Sequence, residues 1–128
     1  MSLAAICLMA GALSVKVPAD HFTLVWRHSI EKIDWSEDYA VQGNTLLLKA
    51  AHVQGDGAGM EPPPDSTFDP KHAYWTYHPN IPPLPRLNLA RSRFTQDYRF
   101  CVNGACRPMA DLVPISAGGS LIIEPCSR

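Results

Sequence analysis

The sequence predicts an all-β domain, a single antiparallel β-sandwich or partly open barrel of about eight short strands. Three observations predict it. Several runs alternate apolar and polar residues with the two-residue period of a half-buried strand. The twelve prolines and eight glycines cluster between those runs, where they punctuate strands and loops. No stretch carries the apolar stripe of an amphipathic helix. The 128 residues suit one domain, and 46 % apolar with 18 % charged content is that of a globular chain.

The chain opens "MSLAAICLMAGALSVKVPAD", apolar from Leu3 to Val15. That run is too short to span a bilayer as a straight helix and has the length of a secretory h-region. Val17, Pro18 and Ala19 offer small residues for cleavage. Residues 1–19 are therefore expected to be a signal peptide or N-terminal anchor, with the β domain over 20–128. The segment before the apolar run has no Lys or Arg, which a misplaced start codon or an uncleaved anchor would explain. Ile6 precedes Cys7, which disfavours lipid attachment at that cysteine.

"HFTLVWRHSI" alternates, with Phe22, Leu24, Trp26, His28 and Ile30 on one face. "WSEDYAV" places Trp35, Glu37, Tyr39 and Val41 together. "QGN" at 42–44 reads as a turn and "TLLLKAAHV" as the next strand. Residues 55–72 read as one long loop, of a length associated with function. "AYWTYHP" is an aromatic strand with Trp75 and Tyr77 on one face. A strand follows over 86–92, one helical turn at "ADLV", and a last strand at "SLIIEPC".

"FCVNGACRP" carries the clearest local signal. Asn103-Gly104 suits a type I′ turn, which needs φ > 0 at both central positions. Val102 and Ala105 then close the hairpin, and Cys101 faces Cys106 with Cα atoms about 4.5 Å apart. A disulfide tolerates that spacing, and such bonds persist in oxidising compartments. Cys126 is left over, as a buried free thiol or a partner for exchange with the hairpin sulfurs. A three-thiolate zinc site lacks the usual short ligand spacing.

Composition and motifs exclude several functions. Net charge is −1 and the basic residues are scattered, which argues against nucleic acid and against a polybasic membrane contact. "GDGAGM" is followed by Pro62-Pro63-Pro64, so no helix N-terminus is available for a dinucleotide's pyrophosphate. His28 and Ser29 are strand neighbours pointing to opposite faces and cannot pair as base and nucleophile. Glu31, Glu37 and Glu61 invite acid–base chemistry. The simpler reading is a partly buried ion-pair cluster in which Arg27, Arg91 and His28 partner Glu37. Asp56, Glu61, Asp65 and Asp69 lack EF-hand spacing. Trp26, Trp35, Trp75 and Tyr77 read as core, while Tyr74, Tyr98 and His78 are free to line a small-ligand groove. No enzyme activity, cofactor or metal is expected from these residues.

The succession "F-x-L-x-W-x-H-S-I-E-K", "W-x-E-x-Y", "GAGMEPP", "W-x-Y", "LARS", "C-x₄-C" and a terminal "PC" resembles the DUF1850 family of small exported bacterial proteins. Its members are often encoded beside TAXI-type tripartite ATP-independent periplasmic (TRAP) transporters. The resemblance marks His28, Ser29, Glu31, Trp35, Glu37, Gly57, Gly59, Met60, Glu61, Arg91 and Ser92 as candidate positions, with the three cysteines. It implies an extracytoplasmic accessory protein that binds a transporter membrane subunit, the solute receptor or a small acidic solute. Two rival expectations are a small periplasmic hydrolase or metal-assisted enzyme using His28 and Glu61, and an envelope interaction module.

Overall fold

The N-terminal apolar run is a β-hairpin of one sheet, its first strand interior and its second at the edge. The computed structural model describes residues 4–27, 33–55, 64–117 and 119–128. Among them the chain forms, in order, β1 (Ala4–Ala10), β2 (Leu13–Val17), β3 (His21–Arg27), β4 (Asp34–Gln42), β5 (Thr45–Gln54) and β6 (Thr67–Asp69). There follow β7 (Tyr74–Tyr77), β8 (Leu87–Ala90), β9 (Arg99–Val102), β10 (Ala105–Pro108) and β11 (Ser120–Ser127). One sheet has the order β2-β1-β11-β8, the other β10-β9-β3-β4-β5-β7-β6. The fold is all-β and sandwich-like, with both sheets antiparallel and neither closed into a barrel. Its eleven strands exceed the eight expected, because β1, β2 and β6 lie where the sequence reads as leader and loop.

Residues 4–17, expected as part of a leader outside the domain, are thus packed within it. β1 pairs with β2 on one side and β11 on the other, and Ala5, Ile6 and Leu8 have no solvent exposure. A strand buried on both faces is a continuous apolar run, so its pattern matches that of a secretory h-region. Cys126, expected as a buried free thiol or an exchange partner of the hairpin sulfurs, is instead bonded to Cys7. Cys7 and Cys126 point to the same face of adjacent strands, two positions apart in register, and form a disulfide with Cα atoms 6.0 Å apart. No cysteine is free. The predicted hairpin is present: Asn103 and Gly104 take φ of 53° and 81°, and Cys106 pairs with and is bonded to Cys101.

The core lies between the sheets. Ile6, Leu8, Leu121 and Ile123 of the small sheet meet Phe22, Leu24, Leu46, Leu48 and Phe100 of the large one. Phe22 stacks on Tyr39 and on Phe100, each at 5.2 Å between ring centroids. The single helical turn, α1 (Met109–Leu112), tucks Met109 into this core.

One irregularity decides what the large sheet presents to solvent. Tyr39 pairs with Leu48 but Asp38 pairs with Ala50, so Lys49 is an unpaired bulge residue in β5. Before it Leu46 and Leu48 face the core. After it Ala51 and Val53 do, and His52 is turned to the outer face.

Candidate functional site

The outer face of the large sheet carries two polar rows set by strand register. One runs Arg99, Val25, Ser36, His52, Thr76 across β9, β3, β4, β5 and β7. Beside it Arg27 opposes Asp34, and Gln54 opposes Tyr74. Val25 and Ser36 are small while their neighbours are long, which leaves a groove of about 200 Å³ walled by Arg99, Asp34, Gln54, His52, His72 and Tyr74.

The rings of this wall are fixed by carboxylates. Asp38 sits 2.8 Å from His52 Nε2 and accepts from the Thr23 hydroxyl at 2.6 Å. A carboxylate only accepts, so Nε2 carries a proton; in the neutral ring Nδ1 then accepts from the Thr76 hydroxyl at 2.8 Å. The His52 hydrogen bond, aided by Thr23, holds the Asp38 carboxyl below its ordinary range against the opposing effect of burial. His72 Nδ1 lies 2.7 Å from Asp69, which lowers the Asp69 carboxyl in the same way. Tyr74 lies between the two imidazoles, 4.7 Å from His52 and 5.3 Å from His72.

A second cleft, about 250 Å³, opens where the end of β3 meets the segment joining β8 to β9. Trp26, Arg27, Ser92, Gln96, Asp97 and Tyr98 contribute to its lining. Beneath it Arg91 donates from Nε and Nη2 to the two oxygens of Asp97, at 3.0 and 2.7 Å. The Arg91 side chain is wholly buried, and its Nη1 has no partner among the described residues. Burial pushes the Tyr98 hydroxyl upward in pKa, reinforced by the Asp97 charge. Arg27, Asp34, Gln96 and Arg99 line a narrow waist between this cleft and the groove, so the two form one trough. The Arg27–Asp34 ion pair, 3.2 Å, crosses that waist.

Of the positions marked in the sequence, Arg91 and Ser92 lie at the cleft, and Trp35 stacks on the cleft residue Trp26 at 6.3 Å. Glu37 does not join them. It faces inward, in register with Leu24 and Ala51, and accepts from the Tyr39 hydroxyl at 2.8 Å. The expected ion pairs of Glu37 with Arg27 and Arg91 are absent, because those guanidiniums are taken by Asp34 and Asp97. Burial therefore raises the Glu37 pKa, and burial followed by the Glu37 charge raises those of Tyr39 and Tyr77. His28, Ser29, Glu31, Gly57, Gly59, Met60 and Glu61 lie outside the described residues, and with them the His28–Glu61 pair. Tyr74 and Tyr98 line the trough as the sequence suggested, whereas His78 bonds the Lys49 carbonyl. Among the described residues no cluster of His, Cys, Asp and Glu could hold a metal ion. His52 and His72 of the groove, and Asp38 behind His52, carry no motif that marks them in the sequence. The bulge at Lys49 hid the facing of His52, and no local pattern announces it.

Residues 22–109 match the model of a domain of unknown function, DUF1850. The chain belongs to the DUF1850 family. The matched segment holds the seven strands of the large sheet, except for His21 at the start of β3, together with β8. β1, β2 and β11, and with them the Cys7–Cys126 bond, lie outside it. The trough is built entirely from residues within the DUF1850 match. No curated protein and no solved structure matches the chain.

Proposed function

We propose that this DUF1850 chain is an exported binding domain that assists a TAXI-type tripartite transporter, with the outer-face trough as its binding surface. The observation that carries the binding role is the trough itself: polar walls fixed by carboxylate-anchored rings around a small-residue floor. A site whose side chains are already held in place loses less freedom when it binds. Export is supported by the two disulfides, which suit an oxidising compartment. It draws no support from the apolar N-terminal run, which the fold uses as core. The transporter association is supported by family resemblance.

A catalytic reading has one specific observation in its favour. Asp38, His52 and Thr76 are hydrogen-bonded in series, as in an acid–base–nucleophile set. Thr76, however, is mid-strand, paired with His52 on one side and Thr67 on the other. A strand-paired residue of this kind does not sit on the sharp turn that exposes a nucleophile beside oxyanion donors. Binding is the better reading.

Co-purification tests it. Tagged chain expressed with the transporter's membrane subunits and solute receptor should be retained with one of them from intact membranes. Clean separation under mild detergent and after crosslinking contradicts the proposal.

A further inference from the structure

The groove between Arg99 and Tyr74 has a donor and acceptor set that selects a ligand class. Among the described residues, the carboxylates beside it are already committed: Asp34 to Arg27, Asp38 to His52 and Asp69 to His72. Arg99 is exposed and makes no ion pair among the described residues, so it is the uncommitted charge of the groove. The remaining free groups are hydroxyl- or amide-like. Ser36 and Tyr74 have no hydroxyl hydrogen bond among the described residues and both line the groove. Gln54 spends its oxygen on the Asp34 N–H and keeps its NH₂. His72 gives Nδ1 to Asp69, which leaves Nε2 as an acceptor in the neutral ring. A cationic fork on one wall thus faces hydroxyl-reading groups on the other.

We propose that this groove binds a small hydroxycarboxylate, its carboxylate on Arg99 and its hydroxyls on Tyr74, His72 and Ser36. Guanidinium matches a carboxylate with two parallel hydrogen bonds. The volume of about 200 Å³ is that of roughly seven liquid waters, below the roughly 300 Å³ at which drug-sized pockets begin. That room suits an acid of a few carbons. The inference rests on the reading of the chain as a binding domain and adds the ligand's chemistry.

Glycerate, propionate and glycerol separate the two halves of the claim, since propionate lacks the hydroxyls and glycerol the carboxylate. Titration of the oxidised full chain, followed by calorimetry and amide chemical shifts, should show glycerate binding. Propionate should bind about tenfold more weakly, and glycerol not at all. Arg99→Gln should weaken glycerate about 10- to 100-fold. Tyr74→Phe should weaken glycerate several-fold and leave propionate unchanged, with the melting temperature of each variant confirming the fold. Gluconate, titrated in parallel, covers a longer hydroxyacid. Absence of binding by both hydroxyacids overturns the inference, as does equal affinity for glycerate and propionate or an Arg99→Gln variant that binds normally. If the hydroxyacids fail while the chain still co-purifies with transporter subunits, only the ligand assignment falls. If both fail, the binding-domain reading falls with it.

Discussion

Arg91 holds Asp97 through two parallel hydrogen bonds, and no part of the arginine side chain reaches solvent. The pair closes the loop that carries the cleft rim, with Phe94 at its tip 96 % exposed. Burying two charges is costly, so removing one partner leaves the other uncompensated. Asp97→Asn or Arg91→Ala should destabilise the fold by about 3–5 kcal/mol in urea unfolding. The double replacement Arg91→Met with Asp97→Leu should cost less than either single one. A single variant that unfolds like the wild type would show that the pair is not holding this loop.

The two disulfides should differ in worth. Cys101–Cys106 closes a separation of 5 residues and Cys7–Cys126 one of 119. Loop-closure entropy assigns about 2 kcal/mol to the first and about 5 kcal/mol to the second. Replacing Cys101 and Cys106 with alanine should lower the denaturation midpoint modestly. Replacing Cys7 and Cys126 should lower it at least twice as far. The reverse order would mean that β1 and β11 are held mainly by packing and pairing.

Glu37 is a carboxyl that the fold prefers neutral. Burial raises its pKa, and the Tyr39 hydrogen bond only partly opposes that. The folded chain binds this proton more tightly than the unfolded one. Its contribution is fully present below the ordinary carboxyl pKa and is lost as pH rises through the folded value. Glu37→Gln keeps an acceptor for Tyr39 and removes the ionisation. The variant should be the more stable protein at pH 8, with the advantage shrinking toward pH 4. Melting curves at both pH values decide it, and a variant weaker than wild type at pH 8 contradicts the assignment.

Asp38 should behave with the opposite sign. Its pKa is lowered by His52 and Thr23, so its stabilisation is present above the ordinary carboxyl value and lost as pH falls through the folded one. Asp38→Asn should lower the melting temperature at pH 6, and the gap should close in the acid limb, once the pH has fallen below the ordinary carboxyl range. A gap unchanged across that range would assign the loss to something other than charge.

Much of the fold was legible in the sequence. The Asn103-Gly104 hairpin, its disulfide and the alternation of β3 and β4 follow from turn stereochemistry and the two-residue strand period. Two features were not, each for a physical reason. A strand buried on both faces shows no alternation, so β1 reads as a leader and Cys7 is lost as the partner of Cys126. In β5 the bulge at Lys49 reverses the facing, so counting from Leu46 and Leu48 sends His52 inward. Nor could Arg91 and Asp97 be paired from sequence. They stand six positions apart, and their contact depends on how the loop between them folds back, which no periodicity encodes.

The fold described above requires that residues 4–10 belong to the mature domain. Peptide mapping by mass spectrometry, without reduction, of the protein recovered from cells reads this in one step. The expected result is a peptide carrying Cys7 joined to one carrying Cys126, beside the Cys101–Cys106 loop. A mature chain that starts near Asp20 and carries Cys126 as a free thiol would contradict it.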